Sequence, residues 1–311
     1  MSVTVVGSLA FDAVKTPFGS RDRMLGGAAT HFSLAASFFD EVRPVGPVGD
    51  DFGPAELEVL HGRGIITDDI EHVPGGKTFF WAGEYTHNLN VRETLATDLN
   101  VFENFQPKLS PAAQDCDVLF LANIQPDLQY DVRRQCERAR FVAMDSMNYW
   151  IESARESVER TIRAVDCVIL NDEELEQLTG APNTPSAAKE LLGWGLKAVV
   201  CKNGKYGAAL YSEDGFFAIP AYPLAEVIDP TGAGDSFAGG FVGYIAAQVD
   251  ERIGHDLLAR AMAYGTALAS FNVEEFGTER VARLTSDEIT ERVSDLHGMT
   301  SFELAPLTLR G

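Results

Sequence analysis

Short hydrophobic runs alternate with amphipathic segments along most of this chain. The segment AATHFSLAASFF from Ala28 has the apolar spacing of a helix, and PAELEVLHGRG from Pro54 begins with the proline that favours a helix start. The runs typical of strands are VTVVGSLAF from Val3, RPVGPVG from Arg43, DVLFLA from Asp117, RFVAMD from Arg140, DCVILN from Asp166, LKAVVCKNG from Leu196 and GAALY from Gly207. This alternation predicts an α/β fold with a mostly parallel central sheet and helices on both faces.

The segment from Lys77 to Phe102 departs from this pattern. It is polar and alternating, which predicts antiparallel strands with one face exposed to water. We expect a small β-sheet lid over a site, built from residues 12–25 and 74–104. A sheet that forms a homodimer is the alternative, and the two roles can coexist. Four aromatic residues of the segment suit either packing within the sheet or contact with a substrate: Phe79, Phe80, Trp81 and Tyr85.

The composition is that of a globular protein, and we expect a single domain over residues 1–311. Hydrophobic residues make up 45% of the chain, which is enough for a sizeable core. The net charge of −21 and the pI near 4.6 argue against a surface that binds nucleic acid or an anionic membrane. The same acidity fits either a salt-rich host or an ordinary acidic protein.

The N-terminal stretch, the apolar runs and the cysteines indicate the cellular compartment of the protein. The N-terminal stretch MSVTVVGSLAFD has no basic region typical of a signal peptide, and no apolar run reaches the length of a membrane span. The four cysteines are scattered and form no C-x-x-C pair, which is typical of small packed residues in a reducing compartment. We therefore expect a cytoplasmic protein.

The stretch DPTGAGDSFAGG, residues 229–240, predicts a loop that turns into a helix. Pro230 and Gly232 oppose an earlier helix start. The free N–H groups and the dipole of a helix N-terminus favour an anion, and glycine lets the backbone approach it closely. Asp235 is itself an acid at this position, which suits a proton acceptor in a reaction better than storage of an anion. An ordinary first-turn acid that stabilises its helix is the alternative.

This stretch resembles the C-terminal signature of the ribokinase-like (PfkB) carbohydrate kinases, D-T-x-G-A-G-D-x-F-x-x-G, with a proline near its start. Other landmarks of that family follow the expected order, so the resemblance covers nearly the whole chain. They are GSLAFD, which looks like the family's first strand and ends at Asp12, GGAATHFSLAAS from Gly26, VGDDFG from Val48, NDEE from Asn171 and KNGKYG from Lys202. The resemblance implies a ribokinase-like fold and a phosphoryl-transfer activity.

The resemblance also implies which residues bind the acceptor and which carry the transfer. Asp12 would hold substrate hydroxyls beside the backbone of Gly26 and Gly27, and His31 stands where the family usually has an asparagine that contacts the substrate. A turn residue is the alternative for Asp12, and a packed core residue for His31. Three backbone N–H groups would stabilise the transferred phosphoryl group, and Asp235 would accept the proton of the attacking hydroxyl. The three belong to Gly232, Ala233 and Gly234.

The remaining implied residues concern the nucleotide and its metal. Asn171 and Glu174 would organise the phosphates, with Glu174 reaching Mg²⁺ through water, whereas simple capping of a helix is the alternative. Three residues of the KNGKYG segment and one of the glycine-rich stretch would line the nucleotide: Lys202, Gly204, Gly207 and Thr231. The segment from Phe271 resembles the region beside the adenine and, in many members, a monovalent cation. Backbone carbonyls would bind K⁺ there, so the side chains leave that site open.

Together these residues predict a kinase that transfers the γ-phosphoryl group of ATP to a hydroxyl of a sugar. A nucleoside kinase of the same family is the alternative, because both acceptors present ribose-like hydroxyls. A binding protein without catalysis is a third hypothesis. A nicotinamide dehydrogenase does not fit, because GSLAFD stands where its G-x-G-x-x-G fingerprint would follow the first strand. The acceptor, the phosphorylated position and the oligomeric state stay open.

Overall fold

The computed structural model describes residues 2–303. The strands are β1 Ser2–Val6, β2 Ala10–Thr16, β3 Gly19–Gly26, β4 Glu41–Val48, β5 Ile70–His72, β6 Phe79–Tyr85, β7 Arg92–Asp98, β8 Val118–Leu121, β9 Phe141–Met144, β10 Cys167–Asn171, β11 Ala198–Lys202, β12 Ala208–Ser212 and β13 Gly215–Ile219. The helices are α1 Ala28–Ala36, α2 Pro54–His61, α3 Pro111–Gln114, α4 Pro126–Gln135, α5 Asn148–Ser153, α6 Arg155–Ile162, α7 Asp172–Thr179, α8 Thr184–Leu192, α9 Ala233–Ala247, α10 His255–Asn272, α11 Glu279–Ala282 and α12 Ser286–Thr300. Short 3₁₀ turns cover Asn100–Asn104 and Gly204–Tyr206.

A nine-stranded sheet lies at the centre, in the order β13-β12-β11-β10-β9-β8-β1-β4-β5. The strands from β11 to β5 pair in parallel, and β12 and β13 continue the sheet antiparallel. Because successive side chains of a strand point to opposite faces, the buried apolar residues form two clusters, one on each face of the sheet. One contains α1, α9 and α10, and the other contains α4, α6, α7 and α8. The predicted parallel sheet with helices on both faces is confirmed.

A second, four-stranded sheet has the order β3-β2-β6-β7. Strands β6 and β7 lie within the expected segment 74–104, and β2 and β3 extend one or two residues beyond the expected segment 12–25, since β2 begins at Ala10 and β3 ends at Gly26. We expected antiparallel strands, and the β3-β2 and β6-β7 pairs are antiparallel, whereas β2 and β6 pair in parallel. A small cluster around Val14, Tyr85 and Phe276 packs this sheet against the main body.

The expected position of Asp12 at the end of the first strand is wrong. The first strand ends at Val6, and Asp12 lies inside β2 of the small sheet. The reason is Ser8, whose carbonyl accepts the N–H of Ala29 at 2.9 Å and whose hydroxyl accepts the N–H of Ala28 at 3.0 Å. Because these groups are used at the start of α1, the chain leaves the central sheet there and re-forms a strand in the small sheet.

Helix α9 is buried between α1 and α10, and its close packing depends on small residues. A Cβ at Gly239 would lie 2.4 Å from the carbonyl oxygen of Phe32 in α1. A larger residue would therefore push α9, and the loop before it, away from α1. Between residues 2 and 303, no helix combines the length and apolar character needed to cross a bilayer.

Candidate active site

Polar side chains meet at the carboxyl edge of three neighbouring parallel strands. Asp145 follows β9, Asn171 ends β10 and Lys202 ends β11. The Nζ atom of Lys202 lies 3.1 Å from Oδ2 of Asp145, and both side chains are largely buried. Crevices at this edge of a parallel sheet are where ligands bind in open α/β folds.

The predicted loop and helix start lie at the same edge. We call residues 229–234 the glycine loop; α9 begins after Gly232, whose φ is 76°. A Cβ at Gly232 would lie 2.4 Å from the ring of His31, and a Cβ at Gly234 would lie 3.3 Å from Nζ of Lys202. The N–H of Ala233 donates a hydrogen bond of 3.3 Å to the carbonyl of Pro230. This bond is long, so an anion can compete with the carbonyl for the N–H. The helix start and the lysine therefore converge on one small space.

The glycine loop is held by hydrogen bonds from three directions. Asp229 accepts the N–H of Thr231 at 2.9 Å through one carboxylate oxygen and the N–H of Gly277 at 3.0 Å through the other. Asn272 donates to the carbonyl of Thr231 at 2.7 Å. The hydroxyl of Thr231 donates to Oη of Tyr85 at 3.3 Å. Thr231 thus links the loop to α10 and to the small sheet, and its predicted contact with the nucleotide stays a prediction.

His31 lies beneath the glycine loop and is almost fully buried. Because Asn272 donates to Thr231 through its amide nitrogen, its amide oxygen faces Nδ1 of His31 at 3.0 Å. That oxygen can only accept, so Nδ1 of His31 carries the proton and Nε2 is buried without a partner. Burial lowers the pKa of His31 to about 4, so the ring is neutral. These contacts assign His31 to the support of the loop, and a substrate contact stays a prediction.

Asp235 occupies the first turn of α9 and is the acid nearest the helix start. Burial raises its pKa to about 7, and Asp145 adds to the shift, while Lys202 and Arg92 oppose it. A carboxylate with a pKa near neutrality holds a proton more firmly than an ordinary aspartate. Such a perturbed acid in a crevice is typical of a catalytic group.

Asp12 lies close to the predicted glycine pair. A Cβ at Gly26 would lie 2.0 Å from Oδ2 of Asp12, and Gly27, with a φ of 94°, donates its N–H to the same side chain. Burial raises the pKa of Asp12 to about 7, and the charges of Asp229 and Asp235 raise it further. The structure therefore brings the small sheet, the glycine pair and Asp235 into one electrostatic environment.

Asn171 and Glu174 form a reciprocal helix cap at the start of α7. Asn171 accepts the N–H of Glu174 at 2.7 Å, and Glu174 accepts the N–H of Asn171 at 2.9 Å. The capping alternative is thus present, but the cap uses only one carboxylate oxygen of Glu174. Burial raises the pKa of Glu174 to about 7, and Lys202 lowers it. A role beyond capping remains available to the second oxygen.

A cavity of about 540 Å³ runs from the glycine loop along α10. Several predicted residues line it: Lys202, Gly204, Gly207, Ala233 and Gly234. Its other wall is apolar and includes Val227, Phe237, Ala269 and Val273. A mostly apolar cavity that ends at cationic and backbone donors suits a nucleotide, with its base on the apolar wall and its phosphates at the helix start.

Three residues of this region, Ser236, Asn272 and Arg92, were not assigned to the site from the sequence, and Tyr85 was named there for packing or substrate contact, without a link to the glycine loop. Ser236 and Asn272 support the loop, since Ser236 donates to Oδ1 of Asn272 at 3.0 Å. Tyr85 contacts Thr231, and the charge of Arg92 acts on Asp12 and Asp235. Nothing in the local sequence marks Asn272 and Arg92, because a distant helix and a distant strand bring them to the glycine loop, whereas Ser236 follows the loop directly in α9.

Comparisons with known proteins identify the family of this chain. The model of the pfkB family carbohydrate kinases matches residues 3–283. Cytidine kinase of Thermococcus kodakarensis is 30% identical over 248 residues, which cover 78% of this chain and 87% of that protein. Deoxyribokinase of Salmonella typhi is 26% identical over 266 residues, which cover 82% of each.

Solved structures show the same fold at low identity. The nucleoside kinase of Burkholderia thailandensis, in complex with inosine, has a TM-score of 0.78 and 20% identity over 95% of this chain and 98% of that one. Ribokinase of Thermotoga maritima has a TM-score of 0.74 and 19% identity over 94% of this chain and 99% of that one. Fold and site together define a small-molecule phosphotransferase with an alcohol acceptor. The chain belongs to the pfkB family of carbohydrate kinases.

The raised pKa of Asp235 predicts that Asp235→Asn stabilises the protein at high pH. The folded pKa of about 7 lies above the ordinary 3.8, so ionising this carboxyl costs stability as pH rises through that range. The variant should gain at most about 4 kcal/mol at pH 8 and much less at pH 5. Thermal melting at both pH values measures this, with exposed Asp214→Asn as the control. An equal gain at both pH values would contradict it.

Proposed function

We propose that this protein transfers the γ-phosphoryl group of ATP to a hydroxyl of a ribose-type sugar, with Asp235 as the proton acceptor. One observation carries the proposal. Asp235 lies in the first turn of α9, and the start of that helix lines the cavity together with Lys202. In this arrangement a donor in the cavity would present its terminal phosphate to the helix start, opposite an acceptor held at Asp12.

The transfer itself follows from these positions. The acceptor oxygen forms a bond to the γ-phosphorus, the bond from that phosphorus to the bridging oxygen breaks, and ADP leaves. Asp235 accepts the hydroxyl proton and aims the oxygen at the phosphorus. The backbone N–H groups of Gly232, Ala233 and Gly234, together with Lys202, stabilise the charge on the equatorial oxygens. Asp12 and the N–H groups of Gly26 and Gly27 orient the acceptor.

The acidic groups near Lys202 fit a hydrated magnesium ion. Glu174 keeps one carboxylate oxygen outside its helix cap, and Asp145 lies within its electrostatic reach. When bound, Mg²⁺ would neutralise phosphate charge, held by the phosphates and through water by Glu174. Dependence on K⁺ and a homodimer through the small sheet stay predictions.

Two classes of acceptor fit the site at Asp12. A free pentose and a nucleoside share the ribose ring that Asp12 would bind, and only the nucleoside needs room for a base. The similarity to a cytidine kinase over 78% of this chain favours the nucleoside as a second candidate. Trp81 pairs directly with Asp12 in the small sheet and offers an aromatic face beside that site.

We expect ADP release from Mg·ATP with at least one member of a panel of pentoses and nucleosides. Activity with cytidine or inosine and not with ribose would identify a nucleoside kinase, because the base supplies additional binding area. Activity with ribose or deoxyribose alone would identify a sugar kinase. Asp12→Asn should raise the KM of the active acceptor more than that of ATP. Release of ADP that no acceptor accelerates would contradict the proposal.

A further inference from the structure

Strand β7 brings an arginine to the glycine loop. Arg92 begins β7 and pairs directly with Tyr85 of β6 in antiparallel register. Residues directly opposite in such a pair project from the same face of the sheet. Tyr85 accepts a hydrogen bond from Thr231, so this face is turned toward the glycine loop. Arg92 shares that face.

An unusual packing of Trp81 supports the guanidinium group. A Cβ at Gly83 would lie only 2.2 Å from the ring of Trp81, so the ring lies across the bare glycine toward the end of the strand. The guanidinium carbon of Arg92 lies 5.2 Å from the centroid of that ring. Such stacking holds a cationic group without neutralising its charge. Asp12 pairs with Trp81 in register, so the same face continues to the acceptor side.

The turn before Arg92 lies against the nucleotide cavity. The residues that connect β6 to β7 line the cavity together with Lys202 and Gly234: His87, Asn88, Leu89 and Asn90. A Cβ at Gly204 would lie 2.8 Å from Oδ1 of Asn90. The hairpin therefore contacts the donor side at its tip and the acceptor side at Asp12, with Arg92 between them.

The charges around this position are unbalanced. Four carboxylates adjoin the space proposed for the transfer, and Lys202 is the cation of the main body that acts on two of them, Glu174 and Asp235, and pairs with a third, Asp145; the four are Asp12, Asp145, Glu174 and Asp235. Burial raises the pKa of Asp12, Glu174 and Asp235, and the charge of Arg92 opposes the shift in each. A terminal phosphate that enters this space needs a further cation, and Arg92, whose side chain hydrogen-bonds Tyr85 on the same face, is placed to supply it from the small sheet.

We propose that Arg92 contacts the terminal phosphate of the donor and makes the site prefer a nucleoside triphosphate over a diphosphate. This assignment rests on the proposed place of phosphoryl transfer between Asp235 and the glycine loop. A guanidinium group can bind phosphate oxygens through two hydrogen bonds, which a single ammonium group cannot reproduce. The small sheet would thereby contribute to catalysis as well as covering the acceptor.

Arg92→Met tests the contact without the need for an acceptor. Calorimetric titration should show binding of the non-hydrolysable analogue AMP-PNP weakened about 10-fold, with ADP binding changed less than about 2-fold. Arg92→Lys should recover only part of the loss. Gly83→Ala, which displaces Trp81 and leaves Arg92 in the chain, should weaken AMP-PNP in the same direction by a smaller factor.

A matched control is Arg23→Met. Arg23 is a second exposed arginine of the small sheet, stacked 3.6 Å from the Phe11 ring centroid and paired with Asp51 at 3.4 Å. Its removal should leave the ratio of AMP-PNP to ADP affinity unchanged. Equal losses for both nucleotides in Arg92→Met, or a higher acceptor KM with unchanged AMP-PNP binding, would overturn the proposal. The activity of Asp235→Asn tests the proposed function separately, because that variant keeps Arg92 and its proposed contact with the terminal phosphate.

Discussion

Asp235→Asn is expected to lower kcat by about 10³-fold while changing the Kd for nucleotides by less than about 3-fold. The amide keeps the shape of the side chain but cannot accept the proton of the attacking hydroxyl. It also cannot aim that hydroxyl through a carboxylate oxygen. The loss should appear in kcat, because both effects are exerted during transfer and not during binding of ATP.

The alternative role of Asp235, as a first-turn acid that stabilises α9, predicts a different result. Such acids contribute about 0.3–1 kcal/mol to a helix, and their loss leaves chemistry intact. Asp256→Asn is the matched control, because Asp256 is the acid in the first turn of α10. Steady-state turnover of both variants separates the two roles. Comparable activity of the two would show that Asp235 is not the proton acceptor.

The pH dependence of the native enzyme provides a second measurement of the same group. Asp235 accepts a proton only when ionised, and burial raises its pKa to about 7. The value of kcat/KM should therefore fall below neutral pH, with the acidic limb near pH 7. Asp12 and Glu174 have pKa values raised to about 7 as well, so the limb describes the group of carboxylates together.

Gly232→Ala is expected to lower kcat/KM by about 100-fold, the scale of losing an oxyanion donor. Two penalties act together at this position. The φ of 76° is unfavourable for alanine, and the added Cβ would lie 2.4 Å from the buried ring of His31. The backbone must move to relieve the contact, and its N–H groups then leave the position where they would stabilise the phosphoryl group.

Gly180→Ala separates the clash from the strain of the backbone. Gly180 has a similar φ of 70° at the end of α7, with no atom within 4 Å of the added Cβ. That variant should lose about 1–2 kcal/mol of stability and no activity. Adding His31→Ala to Gly232→Ala should recover part of kcat/KM, because it removes the clashing ring. Equal activity losses in Gly180→Ala and Gly232→Ala would contradict the proposed mechanism.

Local patterns were sufficient for the elements and for the residues next to the glycine loop. The apolar runs marked the strands from β8 to β11, because buried parallel strands consist almost wholly of hydrophobic residues. The helix start at Ala233 followed from Pro230 and Gly232, whose effects act within a few residues. The end of the first strand was misplaced, because Ser8 bonds to residues twenty positions away.

The sequence by itself determined the α/β class, the small sheet and the glycine loop, and it predicted Asp235 as the proton acceptor. Only the tertiary structure decided that His31 supports the loop from below, that Asn272 sets its tautomer and that Arg92 shares the face of the small sheet that is turned toward the glycine loop. The physical reason is distance along the chain. Propensity, capping and backbone conformation act among neighbours, whereas burial, charge and hydrogen bonding at this site join residues from β2, β7, α1, α9 and α10.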